Sequence, residues 1–258
     1  MSARKDLRLR VWQGLLLAGV FGAWQGAVEF GVLPVFFFGE PQRVLGVLRD
    51  WVGSGLLFPH LAVTLTETLA AFVGGTGLGI GIGLWLGLSP FAARLLDPYL
   101  KAANAMPRVV LAPIFAMWFG LGMGSKIALG ITLVFFAVFF NVFQGVREVS
   151  PVILANARML GASRLQLLRH VYWPAALSWV FSSLHTSVGM AFVGAVVGEY
   201  LGAARGVGYL ILQAEGVFDI NAVIAGLAVL TICALLLDAA VTGFERRLLA
   251  WRPVGRGS

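Results

Sequence analysis

The segment Ser150–Pro174, SPVILANARMLGASRLQLLRHVYWP, is a short arginine-bearing stretch between long apolar segments. Ser150 followed by Pro151 marks a helix start, because serine suits the N-cap and proline at the first helical position has no N–H to leave unpaired. Ile153, Leu154, Ala157 and Leu160 then recur at helical spacing. Gly161 stands where a left-handed C-terminal cap is wanted, so the helix is expected to stop at about Leu160. Ser163 with Gln166 three residues on is a capping box for a second helix, whose Leu165, Leu168 and Tyr172 share a face until Pro174 interrupts the backbone ladder. The reading is a hairpin of two short helices that meet at Gly161.

Around this hairpin the chain is apolar. With 59% hydrophobic residues, 12% charged residues and a mean hydropathy of +0.88, it exceeds what a soluble domain of this length carries. A helix needs roughly 20 apolar residues to cross a bilayer. About six such stretches occur, near 12–37, 61–88, 104–122, 127–146, 177–201 and 221–243. They are continuous runs, not the ten-residue alternating segments of a membrane β-barrel. The expected fold class is all-α, a polytopic membrane protein with about six transmembrane helices.

Lysine and arginine orient those spans. With six spans and the N-terminus inside, the cytosol receives Arg4, Lys5, Arg8, Arg10, Arg94, Arg147, Arg158, Arg164, Arg169, Arg246, Arg247, Arg252 and Arg256, whereas the outer side receives only Arg43, Arg49, Lys126 and Arg205. Lys101 and Arg108 fall near the inner boundary. The hairpin and both termini are therefore expected in the cytosol. The net charge of +7 is a topology signal, and no basic domain points to nucleic acid. The basic start and following apolar run have the look of a signal peptide, but the run continues towards Phe38 and the topology needs this span, so it is read as retained. The single cysteine, Cys233, is read as a small buried hydrophobe within the last span.

Two short pieces lie between spans. Pro41–Trp51 has Val44, Leu45, Leu48 and Trp51 on one helical face and reads as an outer interfacial helix or a packed connector. Residues 206–213, GVGYLILQ, are too short to cross and are placed in the outer leaflet or at a cavity mouth. In the second span Gly75, Gly79, Gly83 and Gly87 recur every four residues, with Gly77 and Gly81 extending the pattern. Small residues at this spacing let helices approach closely in lipid. The stripe serves packing within one subunit or a surface that slides during transport.

Intramembrane acids are costly and need a reason. Glu29 and Asp238 fall near the ends of tilted spans. Glu67, flanked by Thr64, Thr66 and Thr68, is placed to hydrogen-bond a neighbouring helix. Glu199 ends a span whose earlier turns carry Ser182, Ser183, His185, Thr186 and Ser187, a polar series that suits a helix facing protein or a water-filled path. Its own role is read as a gate or an interhelical bond ahead of substrate contact.

Enzyme chemistry finds little support. His60, His170 and His185 are not spaced as metal ligands, no nucleophile elbow or His-Glu-x-x-His pattern appears, and nothing calls for a cofactor. There is also no Gly-x-x-x-x-Gly-Lys-Ser/Thr loop, so any ATP hydrolysis must occur on another chain.

The hairpin resembles the cytoplasmic loop of ABC importer permeases, whose pattern is Glu-Ala-Ala, three residues, Gly, nine residues, Ile-x-Leu-Pro. Gly161 and Pro174 match, Val171 and Trp173 stand at the Ile and Leu positions, and Ala155, Asn156 and Ala157 replace Glu-Ala-Ala, so the acidic residue is missing. The resemblance extends over roughly residues 40–252. His60 with TLTETLAAFVGG (64–75) is similar to the start of the family's second span, and LDPYLKAANAMPRVVLAPIFAMWFGLGMGSK (96–126), with Pro107 and Pro113, to its third. GVREVSPVILANARMLGAS (145–163), VVGEYLGAARGVGYLI (196–211) and FERRLLAWR (244–252) follow the same plan. Together they resemble the nitrate/sulfonate/taurine-type branch of binding-protein-dependent permeases, which also includes importers of vitamin precursors.

The resemblance implies a type I (MetI-like) importer permease fold in a bacterial inner membrane, in one transmembrane domain over residues 1–258. Its core would span about 58–248, after an N-terminal span of about 11–37, with the cytosolic coupling hairpin at about 150–174. It implies two permease subunits forming a homodimer, two cytosolic ATPase subunits and an extracytoplasmic substrate-binding protein. The ATPase contact would fall on Ala157, Arg158, Leu160, Gly161, Ala162, Ser163, Arg164 and Pro174, with Arg169 further along. Asn141, Ser183, Ser187 and Glu199 would line the pathway of the solute, expected to be small and anionic. The alternative is a permease of the same family for a vitamin precursor or other small organic solute; a secondary carrier using Glu67 or Glu199 for ion coupling ranks below it because it would leave the hairpin without a role, and a membrane enzyme is weaker still.

Overall fold

A computed structural model describes residues 2–248, with the side chains of residues 2–7, 10 and 244–248 left undescribed. Arg252 and Arg256, and the last part of the 244–252 segment, lie outside the described residues, as do the side chains of Arg4, Lys5, Arg10, Arg246 and Arg247. The described elements are helices: α1 (Ser2–Glu29), α2 (Val35–Phe38), α3 (Pro41–Gly53), α4 (Leu57–Leu88), α5 (Pro90–Ala105), α6 (Ala112–Phe119), α7 (Met123–Arg147), α8 (Pro151–Met159), α9 (Arg164–Leu167), α10 (Trp173–Leu201), α11 (Val207–Gly216) and α12 (Ile220–Leu248). Among the described residues five helices are long and apolar enough to cross a membrane, six if the bent pair α5 and α6 forms one span.

The glycine stripe of α4 sets how the centre is assembled. A Cβ on Gly75 would stand 2.6 Å from Val134 of α7, one on Gly79 2.8 Å from Val138, one on Gly83 2.9 Å from Val142 and one on Gly87 2.7 Å from Val146. Each glycine is thus the hole for one valine, in a register that advances four residues on both helices. Lipid tails are as apolar as the side chains, so helix association rests on such close contact and not on expulsion of water. Gly77 and Gly81 do not extend the seam as their spacing suggested, since nothing lies within 4 Å of a Cβ at either. Two residues along a helix is a rotation of about 200°, which turns them to the opposite side.

The third face of the core comes from α10, where Gly194 meets Gly130 of α7 and Trp179 covers Gly145. Ala71, Val138, Val142, Ala176, Val180 and Ala191 fill the space between α4, α7 and α10. A second cluster joins α10, α11 and α12 through Phe192, Val207, Ile211, Val229 and Cys233, the last buried and unpaired. Leu48 and Trp51 of α3 lean on it, so α3 is a packed connector against α12. Glu40 N–H anchors its start on the Asn221 side chain at 2.8 Å.

Three spans depart from their hydropathy. The first helix ends at Glu29, short of residue 37, because Gly31 turns the chain with a φ of +74° and Pro34 follows. The apolar run near 104–122 is no straight span: the chain breaks at Met106–Pro107, takes a 3-10 turn over Arg108–Leu111, and α6 leaves α5 at 86°. Pro107 forces the residue before it out of the helical region, and Met106 is extended, with ψ 135°. The fifth span starts at Arg164, well before residue 177, and runs unbroken to Leu201.

Candidate functional site

The turn at residues 160–163 is held by two caps set back to back. At the end of α8, Ala162 N–H donates to the Ala157 carbonyl at 3.0 Å and Gly161 N–H to that of Arg158 at 2.9 Å, with Gly161 at φ +78°. This is a Schellman closure, and glycine meets its left-handed residue without a Cβ penalty. Immediately after it, Ser163 N–H donates to Gln166 Oε1 at 2.7 Å and Gln166 N–H to Ser163 Oγ at 3.3 Å, completing the capping box. Ser150 stands at the N-cap position of α8 but its side chain makes no cap bond.

The tip is closed by hydrogen bonds on both sides, and its apolar residues are left exposed by the described residues. Met159 is 85% exposed and Leu160 88%, while Arg158, Arg164 and Arg169 are exposed around them. Ala157, Gly161, Ala162 and His170 line a groove between the two arms.

The second arm is not a separate short helix. After α9 the chain makes a π-helical turn over Leu168–Tyr172 and continues directly into α10, with Pro174 in its first turn. The wider turn already rearranges the hydrogen-bond ladder where Pro174 offers no donor, so the proline is absorbed without a break. One helix of 38 residues, about 57 Å at 1.5 Å per residue, therefore joins the tip to Glu199.

At that far end lies a buried polar cluster. Thr64 Oγ1 donates to Glu199 Oε1 at 2.6 Å and accepts from Val207 N–H at 3.0 Å, and Gly208 N–H donates to Glu199 Oε2 at 2.7 Å. Lys126 Nζ donates to the carbonyls of Leu121 at 2.6 Å and Gly202 at 2.5 Å. The Glu67 carboxyl faces that of Glu199, and Lys126 acts electrostatically on both. All three charged side chains are buried. Gly206 and Gly208 make the approach possible, because a Cβ on either would collide with Glu199. His60 Nδ1 lies 3.1 Å from the backbone of Gly206 and its ring stacks on Tyr209.

The four residues read as pathway-lining sit differently from one another. Ser183, Ser187 and Glu199 are buried between helices; Ser183 Oγ bonds the Val180 carbonyl at 2.8 Å, and Ser187 Oγ has no partner among the described residues. Asn141 is half-buried with its amide on the Ala137 carbonyl at 2.7 Å. Lys126, counted from sequence as an outer-surface charge, is instead one of the most deeply buried side chains. Room for it is made by Gly198, 72 positions away, where a Cβ would stand 2.8 Å from the Lys126 side chain, so nothing near Lys126 in sequence announced its burial. His185 of α10 meets Asp238 of α12 at 2.7 Å, a polar tie within the spans.

Known proteins share this plan. The pattern of the family described as "Binding-protein-dependent transport system inner membrane component" matches residues 75–250. An "aliphatic sulfonates transport permease protein SsuC" of Bacillus subtilis is 35% identical over 93% of this chain and 87% of its own. The "Riboflavin transport system permease protein RibX" of Chloroflexus aurantiacus is also 35% identical, over 92% and 88%. Among solved structures, an inward-facing form of the MetNI methionine ABC transporter superposes with a TM-score of 0.66 over 75% of this chain and 96% of its own, at 18% identity, a likeness of fold. These matches, with the several apolar helices, define a multi-pass permease of the ABC importer class. This chain belongs to the binding-protein-dependent transport system inner membrane component family.

Proposed function

We propose that this chain forms, with a second copy of itself, the membrane pathway of an ATP-driven importer for a small anionic solute delivered by an extracytoplasmic binding protein. Hydrolysis takes place on separate ATPase subunits in the cytosol, where both termini of this chain also lie. The observation that carries the reading is the doubly capped, apolar, exposed tip Met159–Ser163 at one end of a continuous 38-residue helix.

The tip suits a groove on a partner subunit, where exposed leucine and methionine enter an apolar slot and the flanking arginines meet acidic groups. Ala157, Arg158, Leu160, Gly161, Ala162, Ser163 and Arg164 make this contact, and Pro174 sets where the hairpin joins the membrane helix. Because the arm continues as α10, a displacement of the tip moves the wall of the pathway as a rigid lever. A partner that grips the tip differently in two nucleotide states thereby biases the inward and outward states, as alternating access requires. Asn141 is the pathway residue with an open side; Glu199 braces the outer end, while Ser183 and Ser187 let α10 lie close to its neighbours.

The sulfonate relative supports an anionic solute, and the equally similar riboflavin relative supports a vitamin-type solute as the second reading. Uptake into membrane vesicles containing permease, ATPase and binding protein tests the function. ATP-dependent accumulation that persists when ion gradients are collapsed is the expected result, and accumulation that follows an ion gradient without ATP would overturn it.

A further inference from the structure

The geometry points to Arg108 as an intramembrane binding point for the anionic group of the solute. This deepens the importer reading and rests on it for the identity of the solute. By linear count Arg108 falls near the inner boundary, yet the break at Pro107 carries it elsewhere. Its guanidinium lies over the Phe136 ring, 4.5 Å from the centroid, and Phe136 stands at the midpoint of α7 (Met123–Arg147). A helix of 25 residues is about 37 Å long, so its midpoint is near the centre of the bilayer.

No acid pairs with Arg108 among the described residues. Nη2 donates to the Asn104 backbone carbonyl at 3.0 Å and to its side-chain oxygen, and Nε is buried without a partner. A guanidinium at this depth that faced lipid alone would be strongly disfavoured, so its open side belongs to water or to an anion. A guanidinium also presents paired donors that match sulfonate, carboxylate or phosphate oxygens.

The side of α7 that carries Phe136 is covered by neither α4 nor α10, because the valine seam and the Gly130–Gly145 contacts occupy the other sides. Along this open side Phe136 stacks on Phe140, and the line of phenyl rings ends at Phe143, under the Arg147 guanidinium. Phe143 and Arg147 open onto a cavity of about 460 Å³ shared with Arg94, Asp97 and Lys101. Asp97 is spoken for by Lys101 at 2.6 Å, which leaves the cavity with a positive excess. An anion released from Arg108 therefore meets a greasy wall that does not hold it and then a basic vestibule at the other end.

The test uses the full chain assembled with its ATPase, in a Cys233→Ser background. Phe140→Cys places a thiol one turn from Phe136, and its rates with an anionic sulfonatoethyl methanethiosulfonate and a cationic trimethylammonium-ethyl analogue are compared. With Arg108 present, the anionic-to-cationic rate ratio should exceed that at an outer control, Leu45→Cys. Arg108→Gln should lower the ratio at position 140 about fivefold, and Arg108→Lys should keep most of it. A ratio at 140 no higher than at the control, a ratio unmoved by Arg108→Gln, or a thiol unreactive with both reagents would each overturn the assignment. The readout needs neither binding protein nor hydrolysis, so its failure leaves ATP coupling standing, and loss of ATP-driven uptake leaves this result standing.

Discussion

Thr64 of α4 gives its hydroxyl proton to Glu199 of α10 at 2.6 Å while the same oxygen takes the Val207 N–H at 3.0 Å, so one side chain fastens two long helices to the start of α11. Thr64→Val keeps the shape but leaves a buried carboxylate oxygen and a buried N–H without partners, at a cost of about 1–3 kcal/mol. Thermal unfolding in detergent should show the loss, and Thr64→Ser should restore most of it. Equal stability of the Val and wild-type chains would refute the latch.

Lys126 is the countercharge of the same cluster. Lys126→Met removes the cation that acts on Glu67 and Glu199 and leaves two carbonyls without a donor, so a loss of about 1–3 kcal/mol is expected. The fraction of folded permease recovered from membranes should drop sharply. A surface lysine, as linear topology placed it, would tolerate the change.

The glycine stripe separates into two classes that spacing alone does not distinguish. Gly79→Ala must push Val138 and the α7 backbone away, since its Cβ would stand 2.8 Å and 3.0 Å from them; overpacking of this kind costs about 1–3 kcal/mol. Gly77→Ala meets nothing and should be neutral or stabilising by up to about 1 kcal/mol, because glycine weakens a helix. Unfolding temperatures of the pair give the comparison directly.

At the hairpin, Gly161 is constrained by its backbone and not by its surroundings. Its φ is +78° and no atom lies within 4 Å of a Cβ. Gly161→Trp therefore costs only local strain, about 1–2 kcal/mol, and has nothing to strike in this chain. Substrate-stimulated ATP hydrolysis by the assembled transporter should nevertheless collapse, while the amount of permease in the membrane stays near wild type. Normal stimulation would show that the tip touches no partner.

What could be read in advance was what depends on neighbours in sequence. The Ser163–Gln166 box and the Gly161 cap are three- to six-residue events, and their residue types announce them. The glycine period of four was visible for the same reason, although the valines that fill it lie some 60 positions away. Pro174 misled, because the π-turn at Leu168–Tyr172 that accommodates it leaves no local signature. Hydropathy also passed over the break at Pro107, since an average over the stretch is carried by Ala105 and Met106 before the bend and Val109, Val110 and Leu111 after it, which outweigh Arg108. Lys126 was misplaced by counting charges along a line. Its burial is set by contacts with Gly198 and Gly202, segments that only folding brings together.

The central claim is that the tip at Leu160 sits on a cytosolic ATPase. A photo-crosslinking amino acid at position 160, in the full transporter in native membranes, tests it most directly. Illumination should join this chain to the ATPase subunit, with a yield that changes between nucleotide-free and ATP-bound states. Adducts only to lipid, or none with the ATPase in any nucleotide state, would contradict it.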